Sequence, residues 1–229
     1  MFTGPDIVTD GLVSLLDSRL SNSSTQLYDP ISGGTMTLYN GAYIGNTAGD
    51  GIFFDGTNDY GTSDTIFRDA YNFGTGDFSI DIWVKQHVVL GSWRGILTKG
   101  SSGATGFALL KHGSSNTTLS TSLDSPDNTH FNNSDADYSS YINKWVCLST
   151  TWDRSGSASI YFNGRFVASN DISGQSETVS STISVTLASW QGNSWWWDGQ
   201  MDCIRAYNRV LTSQEVLKNY NTQKSRFNL

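Results

Sequence analysis

The sequence predicts an all-β fold, built as a sandwich. Three observations predict it. Apolar residues recur with a period of two along most of the chain, turn-forming pairs punctuate those runs, and a single segment has helical spacing. The composition agrees. Of 229 residues, 13% are aromatic and only 15% charged, which is the opposite of a disordered chain. The length is ample for one large β domain with a sizeable core.

Each element follows from its residues. Phe78, Ile80, Ile82 and Val84 alternate with mixed positions, marking a strand with one face in a core. Val146, Leu148 and Trp152 mark another within residues 145–153. Residues 157–162 form a third, and Asn163-Gly164 then predicts a tight hairpin, because both residues tolerate positive φ. Residues 52–54, 106–110, 183–187 and 201–207 complete the clear strands. Residues 114–140, rich in Ser, Asn and Asp, read as long loops with an irregular strand near 117–123. The helix is expected over 212–221. There Thr212 and Glu215 have capping-box spacing, and Val216, Leu217 and Tyr220 give a short apolar face.

Charge excludes several partners. Fourteen Lys and Arg against 21 Asp and Glu leave a net charge of −7, and the basic residues form no cluster. Such a chain repels nucleic-acid phosphates and anionic lipid surfaces. No apolar run reaches the ~18–20 residues of a membrane span. The first residues, Met1 to Asp6, lack the basic and apolar regions of a signal peptide. Cys147 and Cys203 sit in strand-like runs and read as buried thiols, with a disulfide as the alternative. With His87, His112 and His130 they make no zinc spacing.

The order of motifs resembles a known family. Residues 11–17 open the series and the Phe53-to-Tyr60 segment with Asp55-Gly56 follows. Residues 78–84, 145–153 and 160–164 come next, then Trp197-Asp198-Gly199, residues 204–212 and Glu215-Val216. This resembles the laminin-G-like, concanavalin A-like jelly-roll domain of the lectin and glucanase superfamily, over about residues 11–221. The resemblance implies a two-sheet antiparallel jelly-roll sandwich with one short C-terminal helix. Residues 11–229 are then one domain, and residues 1–10 an N-terminal docking arm or first edge strand. Residues 208–212, 215–221 and 224–227 are also similar to the ends of such domains in tailed-phage structural proteins.

The sequence does not carry the superfamily's enzyme chemistry. The retaining glucanases it resembles set two Glu and an Asp on one strand face, at the ~5 Å separation that double displacement needs. This chain has two glutamates, Glu177 and Glu215, far apart, and Asp81, Asp153 and Asp198 are not spaced to share a face. The resemblance implies one structural Ca²⁺, held by the Asp202 carboxylate with carbonyls of Asp17 and Gly56, since a hard cation takes oxygen ligands. The alternative is that Asp202 hydrogen-bonds a turn. The double-calcium site of pentraxins is not expected, because the corresponding stretch reads Ser189-Trp190-Gln191-Gly192.

Sugar binding needs flat aromatic faces with amides or carboxylates at their edges. Trp190, Gln191, Asn193 and Trp196 supply both, and Trp93 adds a third outward ring; Trp197 and Trp195 are expected to turn inward. The alternative is that these aromatics cover an oligomer or partner interface. Sequons at Asn22, Asn116 and Asn132 are attributed to composition. Together with the tail resemblance, the N-terminus leads to the expectation of a non-enzymatic virion component. It would be a capsid decoration or fibre protein, made in a host cytoplasm and docked on other virion proteins. A lectin for host or environmental polysaccharide is the alternative.

Overall fold

The computed structural model describes residues 6–47, 49–88, 91–100, 105–111, 118–124 and 136–229. Two antiparallel sheets of eight strands each pack face to face among these residues. The first sheet is centred on β7 (Phe78–Gln86), flanked by β12 (Val146–Trp152) and β16 (Asp198–Tyr207). Outward from β12 lie β13 (Ser157–Phe162) and β14 (Arg165–Asp171). Beyond β16 come β5 (Ile52–Asp55) and β4 (Tyr43–Ile44), and β1 (Leu12–Leu16) also pairs with β16.

The second sheet runs, from one edge, β11 (Ala136–Asp137), β10 (Thr118–Asp124), β9 (Gly106–Lys111), β8 (Arg94–Lys99), β15 (Thr186–Leu187), β6 (Tyr60–Ser63), β3 (Thr35–Tyr39) and β2 (Gln26–Tyr28). The two-sheet sandwich and its C-terminal helix are thus as the sequence predicts. The irregular strand expected near 117–123 is β10. The strand expected over 183–187 is only the two residues of β15.

Alternation builds the core. Phe78, Ile80, Ile82 and Val84 of β7 meet Phe107, Leu109 and Leu187 of the opposite sheet in one buried cluster. Each large side chain buried this way contributes about 1.5–3 kcal/mol. The other face of β7 is buried too. Trp83 joins Cys147, Cys203 and Phe227 in a second cluster beneath the C-terminal segment. That cover is α2 (Ser213–Gln223), which ends in a 3-10 turn over Lys224–Phe227.

Both expected local signals are present. Thr212 caps α2, and both bonds of the capping box with Glu215 form. Asn163 and Gly164 turn the β13–β14 hairpin with φ of 51° and 78°. Periodicity does not foresee α1 (Thr65–Ala70), six residues capped by the Asp64 carboxylate. Residues 1–5 of the expected docking arm lie outside the described residues. From Val8 onward the arm is sewn to the domain: Val8 N–H donates to Asn219 Oδ1, and Tyr207 Oη donates to Val8 O. The sequons at Asn116 and Asn132 also lie outside the described residues.

Candidate functional site

The tryptophan-rich segment is the connection from β15, in one sheet, to β16, in the other. Gln191 and Gly192 both have positive φ, 54° and 71°, and Asn193 N–H donates to Trp190 O. Those are the marks of a mirror-image tight turn. Glycine is required at 192, because a Cβ there would sit 2.8 Å from the Tyr60 ring. The turn is held down by Gln191 Nε2 donating to Gly100 O, by Gly192 N–H donating to Ser189 Oγ and by Gly95 N–H donating to Trp195 O.

The structure redistributes the expected roles. Trp197 is fully buried, as expected. Trp195 is not turned inward. Its φ of +55° breaks the extended alternation that expectation relied on. It stacks instead on Trp93, centroids 5.6 Å apart at 26°, and on Trp190, 4.9 Å apart at 45°. Trp93, Trp190 and Trp195 therefore form one stepped, half-buried ledge drawn from two loops. Trp196 is not part of it: it is half-buried, with its Nε1 sunk and without a hydrogen-bond partner. Asn193 is exposed at the tip, whereas the Gln191 amide is engaged with Gly100.

The residues expected to hold calcium are arranged differently. Gly56 lies beside Asp198, where its Cβ would approach Asp198 Cβ at 2.7 Å. The residue against Asp202 is Gly51. Four residues of strand, ~13 Å, thus separate Gly56 from Asp202. The Asp17 carbonyl accepts from Leu20 N–H in a 3-10 turn. Asp202 itself is mid-strand, at a bulge where Cys203 has φ of +46°. Met201 and Ile204 both face the main core, so the bulge sends Asp202 and Cys203 together to the outer face.

There Asp202 accepts from Ser18 N–H at 3.0 Å, Ser18 Oγ at 2.8 Å and Cys203 N–H at 2.7 Å, and Arg226 Nη2 forms a short ion pair with it. Arg226 Nη1 binds Asp17 at 2.8 Å. Asp17, Asp202 and Cys203 offer metal-type ligands within 4.8 Å of one another. A guanidinium already bridges the two carboxylates, and the expected oxygen set is dispersed, so these residues do not fit a calcium ion. Burial pushes the Asp202 carboxyl up, against the pull of Arg226. Burial also works against the Asp17 charge, yet Arg19 and Arg226 hold that carboxyl below its usual value.

Neither glutamate sits in a catalytic pair. Glu215 is bound in the helix cap and Glu177 is exposed in the segment after β14. Both cysteines are buried free thiols. No helix among the described residues is long and apolar enough to cross a membrane.

Comparison with solved structures places this architecture. The receptor-binding domain of a botulinum neurotoxin C/D mosaic serotype superposes with a TM-score of 0.74 at 15% identity, over 94% of this chain and 52% of that one. The botulinum neurotoxin serotype D ligand-binding domain, in complex with N-acetylneuraminic acid, gives 0.73 at 13% identity, over 93% and 51%. The binding domain of Paraclostridial Mosquitocidal Protein 1 gives 0.71 at 16% identity, over 92% and 52%. The chain spans about half the length of these structures, and at such identities the likeness is one of fold. No curated protein matches the chain. Residues 55–217 match the Laminin_G_3 family. The ordered motifs, the two-sheet sandwich and this match have one conclusion: the chain belongs to the concanavalin A-like lectin/glucanases superfamily.

Proposed function

We propose that this chain is a non-enzymatic glycan-binding module whose ligand lies on the ledge of Trp93, Trp190 and Trp195. The observation that carries the reading is the stacking of three half-buried indoles from two separate loops. Rings held this way lose little freedom on binding and offer an apolar surface to the C–H face of a pyranose. Exposed Asn193 supplies an amide at the edge for hydroxyls. Glu215 is taken up by the helix cap and Glu177 stands exposed after β14, which supports binding over glutamate-paired hydrolysis. The sialic acid complex of the serotype D domain supports a sugar as the ligand class.

The test is a glycan array followed by calorimetry on the best hit. Trp195→Ala and Trp93→Ala are expected to abolish binding while Trp196→Ala retains most of it. An array without hits, or full affinity in both ledge variants, overturns the reading. Carriage of the module on a virion is a separate proposal, supported by the resemblance of residues 208–212, 215–221 and 224–227 to phage proteins. Mass spectrometry of purified particles, with a copy number, tests that part.

A further inference from the structure

A second cleft, of about 350 Å³, opens at the start of β16, lined by Gly41, Tyr43, Phe53, Asp55, Asp59, His87 and Asp198 among others. Its volume falls within the ~300–1,000 Å³ of small-molecule sites. One wall is aromatic. Tyr43 and Phe53 face each other across β4 and β5, with rings 4.8 Å apart and 2° from parallel. Tyr43 is half exposed there.

The remaining wall is anionic. Asp55 and Asp198 are directly opposed on β5 and β16. Like charges placed so are destabilising. Asp59 is 5% exposed; its Oδ2 accepts from Asp55 N–H, and its Oδ1 is buried without a hydrogen-bond partner. Gly41, with φ of +128°, lies against Oδ1, where a Cβ would come 3.2 Å from it. His87, with Nδ1 3.2 Å from Asp198, is the one basic side chain among these residues.

Three carboxylates, one of them buried and unsatisfied, beside a flat aromatic pair call for a cation with an apolar face. We infer that this cleft is a subsite for a sugar carrying a free, protonated amine. The ammonium would sit among Asp55, Asp59 and Asp198, with the ring on Tyr43. The inference rests on the glycan-binding reading, and it extends that reading to a ligand class the tryptophan ledge does not select.

The test is calorimetry with a tetramer of glucosamine and its fully N-acetylated counterpart, at matched pH and ionic strength. The free-amine tetramer is expected to bind at least about tenfold more tightly. Tyr43→Ala, at an exposed position that spares the core, and Asp59→Asn are each expected to remove that preference. Trp195→Ala is expected to lower affinity for both tetramers and keep the preference. Equal binding of the two tetramers overturns the amine subsite, as does a preference that survives both cleft variants. Displacement of the amine by equimolar calcium also overturns it, because the acids are then a metal site. Neutral array hits that depend on Trp195 leave the ledge standing in each of these cases.

Discussion

Trp93, entering a strand of one sheet, and Trp195, entering a strand of the other, stack with centroids 5.6 Å apart. One ring pair thus ties the rims of the two sheets together at the proposed ligand surface. Trp195→Ala is expected to cost the fold about 1–3 kcal/mol, in line with its two aromatic pairs. Glycan affinity is expected to fall by about tenfold or more. Urea denaturation and calorimetry on the same preparation separate the two effects.

Arg226 forms ion pairs with both Asp17 and Asp202, whereas Arg19 is paired with Asp17. Removing one partner of a buried pair leaves an uncompensated charge, at about 3–5 kcal/mol. Arg226→Ala is expected to lower the unfolding free energy from urea denaturation by that order, and Arg226→Lys by less. A bound ion at a hundredfold excess over its Kd would add about 2.7 kcal/mol. The wild-type melting temperature is expected to be the same in calcium and in chelator, because the arginine holds the position.

Glu215 gives a pH signature. Its bidentate pair with Arg209 and its bonds in the cap hold its carboxyl down at about 2, against a usual 4.5. A folded value below the unfolded one means a contribution that is complete above pH 4.5 and is lost as the pH falls toward 2. Both side chains are more than a quarter exposed, so the pair and cap together amount to about 1 kcal/mol. Glu215→Gln is expected to cost that at neutral pH and nothing near pH 2, in denaturation curves at the two values.

Cys147 is fully buried, and burial pushes its thiol up to about 12. Cys203 is also raised well above its usual value, by burial and by Asp202 and Asp17 beside it. Neither thiol is a thiolate at neutral pH. Ellman's reagent is expected to titrate neither in the native protein and both in guanidinium.

The sandwich was legible because its central strands have little choice. β7 alternates so strictly that its two faces read off as core and cover, and Asn163-Gly164 and Thr212–Glu215 are local signals needing no distant partner. The sites were less legible. Residue type alone singles out Trp190, Asn193 and Trp93, and alternation puts Trp195 on the inner face, since no local rule announces a tryptophan at positive φ. Asp202 is expected to ligate calcium or to hydrogen-bond a turn, and in the structure it pairs with Arg226. Its partner lies 24 residues on, in a turn folded back over the sheet, and a bulge at Cys203 swings it there. The Tyr43–Phe53 cleft is not legible in the sequence, because Asp55 and Asp198 become neighbours only through the pairing of β5 with β16.

The bridge at Arg226 has a temporal side. Asp17 precedes Arg226 by 209 residues, and the sheets that bury Asp17 and Asp202 are encoded between them. While the ribosome is still short of residue 226, Asp17 already has Arg19 as its cation, but Asp202 lacks the Arg226 side chain that pairs with it. Closing the sandwich early would bury bare charge. The turn that carries Arg226 therefore completes the burial of Asp202, and until it docks that acid is better left in water.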